Sequence, residues 1–433
     1  MMRTVGVTLV LLAAAQAAAG QEPETPPAGA NLTVYHATFG PGEAVWEKFG
    51  HNAIWIHDAA TGSTVSYNYG IFDFNQQDFI PRLLKGSMLY SMGVRSAEDE
   101  VASYSFHDRS IWLQRLNMTP SQRHALREFL EWNWLPQNRD YLYDYFRDNC
   151  STRIRDALDR AIGGAIGSRL AGMPTGTTFR SHSLRLTAGS TPTFTGLLLG
   201  LGSPTDREID AWEEGFIPME LMKRLRSVEV ADEDGRVVPL VAEERTLFLA
   251  DRQPPPEDPP ARTHFYLLAG LFIALATAAL GEAARTGRRA RAGLAMGITV
   301  WGVLTGFFGL ILALLWTATS HTATYGNLNL LQVNPLGVLL AVAAPLALLT
   351  GSPGRRRHAV ARLAWPSSIA LAALSVSGLV LHALPAVYQA NGPIVALVLP
   401  VHLAVVLSLY RALPGGPSAK EDMPGPAAAA RPA

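Results

Sequence analysis

Apolar residues are distributed unevenly along the chain of 433 residues. After residue 262, five long apolar runs follow one another, at about 264–281, 293–316, 335–351, 364–386 and 393–410. A helix needs about 20 apolar residues to cross a bilayer. The pattern therefore predicts a domain of five transmembrane helices over residues 263–411, followed by a disordered cytoplasmic tail over residues 412–433.

The loops between the apolar runs differ in charge, and this difference predicts the orientation of the helices. Loops 317–334 and 387–392 contain neither lysine nor arginine. The alternate loops and the end of the last run contain Arg285, Arg288, Arg289, Arg291, Arg355, Arg356, Arg357, Arg362 and Arg411. Because arginine-rich loops stay in the cytoplasm, we expect the two uncharged loops and the preceding part of the chain on the outer side.

The N-terminus has the pattern of a secretory signal peptide, which we expect to cover residues 1–19. Arg3 precedes the apolar stretch 5–14, and small residues then offer a cleavage site. Residues 30–250 mix polar and apolar positions and predict a folded domain outside the cytoplasm. The proline-rich stretch 251–262 predicts a stiff linker from this domain to the membrane part.

The pattern within residues 30–250 is typical of an α+β fold. Residues 51–57 and 64–72 are rich in apolar and β-type side chains and flank a turn, so they predict a hairpin. Thr119 is followed by proline and, three residues on, by Gln122, which is the pattern of a helix start with a capping box. Pro136 is expected to end that helix.

Composition narrows the functional classes. The formal net charge is zero, so the charge gives no indication of nucleic-acid binding. Cys150 is the only cysteine, and an exported chain with one cysteine has no intramolecular disulfide to form. Such a cysteine is a reactive thiol, a partner in an intermolecular disulfide, or a small buried apolar residue.

The residues around Cys150 favour the reactive thiol. Either Asp148 or Asn149 is a suitable N-cap for a helix. Apolar residues follow at helical spacing: Ile154, Ala157, Leu158, Ala161 and Ile162. Cys150 is therefore expected in the first turn, where free backbone N–H groups lower the pKa of a thiol and can hold an oxyanion.

A cysteine nucleophile needs a base, and His51 is the strongest candidate in the domain. It lies at the start of a predicted strand, which can pack against the cysteine helix. Asn68 on the paired strand is the expected partner that orients His51, with Asn52 and Asp58 as alternatives.

The predicted catalytic set is Cys150, His51, Asn68 and Asn149. No metal is expected, because His51 and His57 lack the spacing of a metal cluster. No cofactor is expected either.

Polar residues near the membrane and near the cysteine predict where a substrate binds. His321, Asn327 and Asn329, in the outer loop 317–334, are expected to contact a head group or a lipoprotein, or else are ordinary loop residues. Arg153, one turn beyond Cys150, could hold a phosphate. The alternative for Arg153 is a solvated helix face.

Several segments together resemble one known family. They read WEKFGHNAIWIHD from Trp46, YNYGIFDF from Tyr67, LLKGSMLYSM from Leu83 and NRDYLYDYFRDNCSTRIRDALD from Asn138. The loop that reads SHTATYGNLNLLQVNPL from Ser320 is similar to the membrane part of that family. Over roughly residues 30–400, the chain resembles the family built on the Lnb N-terminal periplasmic domain.

This resemblance implies a circularly permuted papain-like (NlpC/P60-like) domain, in which the histidine strand precedes the cysteine helix. It also implies a multi-pass protein of the bacterial inner membrane, with its N-terminal domain in the periplasm and lipoprotein N-acyltransferase activity. An acyl chain would pass from a phospholipid donor to the thiol of Cys150. It would then pass to the N-terminal amine of a diacylglyceryl lipoprotein, with His51 as the base.

Two other functional classes fit the same residues. An export-side cysteine hydrolase, such as an amidase, peptidase or lipase, would use Cys150 and His51 in the same roles. A non-enzymatic membrane receptor would tolerate replacement of Cys150.

Overall fold

The computed structural model describes residues 27–349, 359–382, 384 and 387–413. The predicted signal peptide (1–19) and nearly all of the predicted tail (412–433) lie outside the described residues. So do the last residues of the third and fourth predicted apolar runs.

A seven-stranded antiparallel sheet organises the part of the chain before the membrane helices. Its strand order is β11-β5-β1-β2-β3-β4-β6. The strands are β1 (Leu32–Phe39), β2 (His51–Asp58), β3 (Ser63–Phe72), β4 (Leu89–Ser96), β5 (Ile111–Leu116), β6 (Asp140–Leu142) and β11 (Val241–Phe248). Two small sheets pair β7 (Pro174–Thr178) with β8 (Glu208–Asp210) and β9 (Glu229–Ala231) with β10 (Val237–Pro239). The predicted hairpin is confirmed as β2 and β3, which pair in antiparallel register.

Helices cover both faces of the large sheet. Those of the soluble part are α1 (Phe79–Lys85), α2 (Ala97–Phe106), α3 (Pro120–Trp134), α4 (Cys150–Ala161), α5 (Ala165–Leu170), α6 (Phe179–Leu186), α7 (Thr191–Gly200), α8 (Ala211–Glu214) and α9 (Pro218–Leu225). The predicted capping box is confirmed at the start of α3, where the Thr119 side chain accepts from the Gln122 backbone N–H. Strands and helices together confirm the α+β class for this domain.

Successive side chains of the central strands point to opposite faces of the sheet and pack into two separate hydrophobic cores. Ile54 and Ile56 of β2 face α3 and α4, where they pack with Ile154 and other buried apolar residues. Ala53 and Trp55 face the opposite side and pack with α2. This alternation is the ordinary consequence of the two-residue period of a strand.

Within the described residues, five long apolar helices follow the soluble part. They are α10 (Thr263–Ala283), α11 (Arg288–Ala318), α12 (Leu336–Leu349), α13 (Ala364–His382) and α14 (Gly392–Ala412). By length and composition, each belongs to a helical stretch that could cross a membrane. Gly302 and Gly306 of α11 lie against the backbone of α12, where a side chain would clash. Such close contact between small residues is typical of helices that pack within a bilayer.

The soluble domain is docked onto the outer end of the bundle. Leu184, Phe194 and Leu198 from α6 and α7 pack against α10 and α14. The side-chain amides of Asn327 and Asn329 donate to the last carbonyl groups of α7, at 2.8–3.1 Å. Both uncharged loops therefore touch the soluble domain, since Gln389 also donates to the Leu201 carbonyl. The soluble domain and these loops lie on the same side, as their charge predicts.

A fully buried ion pair strengthens this junction. The Arg180 guanidinium binds both carboxylate oxygens of Asp206, at 2.8 and 2.9 Å, and also donates to the Leu201 carbonyl. The second loop contributes as well, because the Ala390 backbone N–H donates to Asp206. The charge of Asp206 is thus neutralised where the two parts of the chain meet.

We predict that Arg180→Met destabilises the protein by about 3–5 kcal/mol, because it leaves the Asp206 carboxylate buried without its partner. The measurement is unfolding of the purified protein in detergent. Arg207→Met is the matched control, since Arg207 pairs with Glu213 at an exposed position and such pairs contribute about 0–1 kcal/mol. An equal decrease in the free energy of unfolding in the two variants would contradict a special role for the buried pair.

Candidate active site

Cys150 is the first residue of helix α4, and Asn149 fixes that position. The Asn149 side-chain oxygen accepts hydrogen bonds from the backbone N–H groups of Ser151 and Thr152, both at 2.9 Å. Its amide nitrogen donates to the carbonyls of Tyr145 and Phe216, both at 3.0 Å. Of the two N-cap candidates, the structure therefore uses Asn149. Its observed contacts hold the start of the helix in place, and a direct catalytic role stays a prediction.

Strand β3 opens a space for the cysteine. Its pairing with β4 is interrupted between Asn68 and Ile71. Gly70 in this interruption has φ +88°, and a Cβ at this position would lie 3.3 Å from the Cβ of Cys150. A side chain at residue 70 would be strained by its backbone conformation and would crowd the cysteine. Glycine thus allows the helix start to reach the end of the sheet.

His51, at the start of β2, lies beside a stacked pair of aromatic rings, Phe39 and Tyr104, whose centroids are 3.9 Å apart. Its ring is stacked with Phe39 at 6.0 Å and with Tyr104 at 6.3 Å between centroids. His51 Nε2 lies 2.9 Å from the Oδ1 atom of Asn68. The other ring nitrogen, Nδ1, has no hydrogen-bonding partner within the described part of the chain. The backbone next to His51 also acts on the cysteine, because the Asn52 backbone N–H lowers the pKa of the Cys150 thiol.

The asparagine contacted by His51 is the expected one, Asn68. The two alternatives have other partners: Asn52 donates to the Ser151 hydroxyl at 3.0 Å, and Asp58 accepts from the Ala60 backbone N–H. Asn52 and His51 are adjacent in a strand, so their side chains leave on opposite faces. The catalytic roles of His51 and Asn68 stay predictions that this geometry supports.

A chain of hydrogen bonds behind Asn68 determines which nitrogen of His51 carries the proton. The Ser66 hydroxyl donates to the Glu100 carboxylate, so the Ser66 oxygen is free to accept from the Asn68 amide nitrogen at 3.0 Å. Asn68 therefore turns its carbonyl oxygen towards His51, and Nε2 must be the donor. Nδ1 is left unprotonated and can accept a proton.

Glu100 ends this chain and was not anticipated from the sequence. It lies on α2, is almost fully buried, and also accepts from the Trp55 indole N–H at 2.8 Å. Burial raises the pKa of Glu100, and its hydrogen bonds from Ser66 and Trp55 oppose that shift. The alternation of β3 could have indicated that Ser66 and Asn68 share a face, but only the packing of α2 brings Glu100 there.

Burial opposes ionisation of the thiol. Desolvation raises the pKa of Cys150 to about 11, although the backbone N–H groups of Asn52, Ser151 and Cys150 and the charge of Arg109 act to lower it. The N–H groups of the helix start lower this pKa, as expected, but the net shift is upward and the thiol is not activated. The free N–H groups are present as expected, but the loss of solvent around the sulfur has the larger effect.

The imidazole is also uncharged at neutral pH. Desolvation lowers the pKa of His51 to about 4, the hydrogen bond to Asn68 opposes this shift, and Arg109 adds to it. Arg109 is itself buried against the ring of Tyr104, at 4.6 Å, and donates to the Gly40 carbonyl at 2.8 Å. The resting site therefore combines a neutral thiol with a neutral imidazole.

Arg153 has partners of its own beside the cysteine helix. Its guanidinium makes two hydrogen bonds to Asp148, at 2.6 and 2.8 Å, and lies 3.6 Å from the centre of the Tyr141 ring. It lines a cavity of about 420 Å³ together with Asn133 and Arg160. Phosphate binding by Arg153 stays a prediction, and any phosphate would have to share it with Asp148.

The loop residues expected to bind substrate also have structural contacts. His321 Nε2 lies 3.1 Å from the Leu83 carbonyl, next to the end of α1. Asn327 and Asn329 are buried against the end of α7. Substrate contact by these three residues stays a prediction. Within the described residues, no group of three or more histidine, cysteine or acidic side chains could hold a metal ion.

Comparison with known proteins identifies relatives for both parts of the chain. The family model described as the Lnb N-terminal periplasmic domain matches residues 28–183. The model described as the Lnb transmembrane domain matches residues 265–350. The first match includes the cysteine, the histidine and the chain of hydrogen bonds behind it. Comparisons with curated proteins and with solved structures gave no match.

We predict that alkylation of Cys150 by iodoacetamide accelerates with pH across the range 6–10, by about tenfold per pH unit, because only the thiolate reacts. With a pKa of about 11, the rate should not level off within this range. Since Cys150 is the only cysteine, the rate reports on this residue alone. The denatured chain is the control and should level off near its ordinary pKa of about 8.5. A plateau below pH 8 in the folded protein would show a thiolate–imidazolium pair instead.

Proposed function

The chain belongs to the Lnb family, and from this membership and the surroundings of Cys150 we propose that it is a lipoprotein N-acyltransferase. Family membership indicates a multi-pass membrane protein that modifies lipoproteins. The finer proposal is acyl transfer from a phospholipid, through a thioester on Cys150, to the N-terminal amine of a diacylglyceryl lipoprotein. The observation that carries it is the position of a cysteine, a histidine and an asparagine at one sheet end, in a domain docked on membrane helices.

We assign the soluble domain to a circularly permuted papain-like (NlpC/P60-like) arrangement. Three features support the assignment: the helix that begins with Cys150 packs on an antiparallel sheet, His51 begins a central strand, and Asn68 lies on its neighbour. The histidine strand precedes the cysteine helix in the chain, which is the order expected after permutation.

The first step forms the thioester. The Sγ atom of Cys150 attacks the carbonyl carbon of a phospholipid ester, and its proton passes to His51 Nδ1. The backbone N–H groups at Asn52 and at the start of α4 surround the sulfur and can stabilise the oxyanion that develops. The tetrahedral intermediate expels the alcohol oxygen of the donor, which takes the proton from His51. The products of this step are a lysophospholipid and an acyl group on Cys150.

The second step returns the cysteine to its starting state. The free amine of the lipoprotein attacks the thioester carbonyl, and His51 accepts a proton from the amine. When the C–S bond breaks, that proton returns to sulfur and an amide is formed. Because the imidazole is neutral at rest, it is ready to accept a proton in each half of the reaction.

Limited access of water to the site would fit transfer to an amine better than transfer to water. A thioester exposed to water is lost by hydrolysis, and exclusion of water prevents this side reaction. Cys150 and His51 are each half-buried, and the packing around them raises the pKa of the thiol and lowers that of the imidazole. Phospholipid and diacylglyceryl lipoprotein are both substrates of the membrane surface. We place the protein in the bacterial inner membrane with its soluble domain in the periplasm.

The test is a product assay with full-length protein in phospholipid vesicles that contain a diacylglyceryl peptide with a free N-terminus. We expect equal amounts of N-acylated peptide and lysophospholipid from the wild type, and neither product from Cys150→Ala. His51→Gln should slow the reaction by about 10²–10⁴-fold because it removes the proton acceptor. His57→Gln is the matched control. His57 lies on the same strand as His51, but its ring is hydrogen-bonded to the hydroxyl of Thr64.

The products also separate the proposal from its alternatives. Free fatty acid in place of acylated peptide would indicate a hydrolase that uses the same cysteine. Unchanged acylation by Cys150→Ala would remove the thioester mechanism. A lack of either product from the wild type would favour a receptor.

A further inference from the structure

A short apolar segment, residues 74–85, leaves the sheet after β3 and includes α1. Its apolar side chains Phe74, Ile80, Leu83 and Leu84 are exposed. Ile80 and Leu84 are four residues apart in α1 and so share one face of the helix. A cluster of exposed apolar side chains on a soluble domain marks a surface that binds a membrane or another protein.

The membrane bundle holds this segment in place. The Ser320 backbone N–H donates to the Lys85 carbonyl at 2.7 Å. His321 Nε2 lies 3.1 Å from the Leu83 carbonyl, and its ring lies against Gly86. Ser320 and His321 come two and three residues after the end of α11. Segment 74–85 is therefore attached to the outer end of a membrane helix.

The length of α11 places this attachment at the level of the bilayer surface. Its apolar part, residues 293–316, spans about 36 Å at 1.5 Å per residue, and the hydrocarbon core of a bilayer is about 30 Å thick. Trp316 ends this apolar part and is exposed, as is typical of tryptophan at a membrane boundary. Ser320 and segment 74–85 thus lie where the head groups begin.

The charges of segment 74–85 suit a position at the lipid head groups. Arg82 and Lys85 lie in the last turn of α1, next to the contact with the loop. Neither forms an ion pair with any of the described residues. Asp73 and Asp78 precede the helix, so the basic end is the one that faces the bundle. Basic side chains beside an apolar helix face are typical of helices that lie on phospholipid.

A row of aromatic rings runs from the segment towards the core on which Cys150 packs. Phe74 contacts Phe72 at 4.7 Å between centroids, Phe72 contacts Tyr90 at 5.0 Å, and Tyr90 stacks on Tyr143 at 4.1 Å. Tyr90, Tyr143 and Cys150 pack against the same core. The row thus extends from the segment at the bundle towards the part of the core that contains Cys150.

We propose that segment 74–85 inserts into the outer leaflet of the bilayer and that the aromatic row guides a phospholipid acyl chain from there to Cys150. The first part of this inference concerns membrane contact alone. The second part rests on the proposed function, because it needs a thiol that accepts an acyl group.

Membrane contact is tested with full-length protein in phosphatidylglycerol–phosphatidylethanolamine vesicles. In a Cys150→Ala background, Leu84→Cys and Val237→Cys each provide a single site for an environment-sensitive nitrobenzoxadiazole label. The two positions are matched in exposure, at 67% and 71%. Val237 lies on the hairpin whose Glu233 contacts Arg123, near the opposite end of the sheet from His51. Brominated lipid should quench the label at Leu84, and iodide in the water should quench the label at Val237.

Guidance of the lipid is tested by acylation of Cys150 from the same vesicles. The double variant Ile80→Glu/Leu84→Glu should lower the acylation rate by about tenfold or more, because it removes apolar area that the bilayer would bury. Val237→Glu should leave the rate unchanged. Alkylation of Cys150 by iodoacetamide should be equal in both variants, which would show that the site is still folded.

The outcomes are distinct. Quenching by iodide but not by brominated lipid at Leu84 would overturn membrane insertion, whatever the enzyme does. Acylation at the wild-type rate in the double variant would overturn guidance of the lipid. Insertion without any acylation of the wild type would leave the membrane contact standing, overturn guidance, and show that the proposed function is wrong.

Discussion

Cys150 lies so close to Gly70 that a Cβ at residue 70 would be 3.3 Å from the Cβ of Cys150, and the site depends on this close packing. A helix can begin against the end of a strand only if the strand has no side chain there, and Gly70 also adopts a backbone conformation that other residues avoid. Asn149 holds the helix start at this point through four hydrogen bonds. Without this close packing, Cys150 would lie farther from the strands that carry His51 and Asn68.

The close packing of Cys150 against strand β3 also has an electrostatic consequence. Packing around the half-buried thiol and imidazole limits their contact with water. This raises the pKa of the thiol and lowers that of the imidazole, so both rest uncharged. The hydrogen bonds from Glu100 through Ser66 to Asn68 fix His51 with Nδ1 free. Proton transfer from sulfur is therefore coupled to attack on a substrate instead of preceding it. In the proposed reaction, such a thiol would become nucleophilic only when a lipid ester is held beside it.

Local features of the structure could be predicted from the sequence. The capping box at Thr119, the helix start at Asn149 and Cys150, and the five apolar helices depend on residues close together in the chain. The contact between His51 and Asn68 follows from the pairing of two neighbouring strands. The orientation of the bundle followed from the arginines of its loops.

Features that depend on packing could not be predicted in this way. Glu100 and Arg109 reach the site from other elements, and no spacing in the sequence relates them to His51. The pKa of Cys150 changes in the opposite direction from the one expected, because desolvation depends on everything packed around the sulfur. Asn327 and Asn329 suggested a binding loop, whereas their observed partners are the carbonyl groups at the end of α7.

The central claim is that Cys150 carries an acyl group during the reaction. Its most direct test is the intact mass of full-length protein after brief incubation with phospholipid in the absence of an amine acceptor. We expect the mass of the wild-type protein to increase by one acyl group, and hydroxylamine should remove this increase. Cys150→Ser should show no hydroxylamine-sensitive increase in mass. An adduct of the same mass on a variant without Cys150, or no adduct at any time on a wild-type protein that acylates peptide, would contradict the claim.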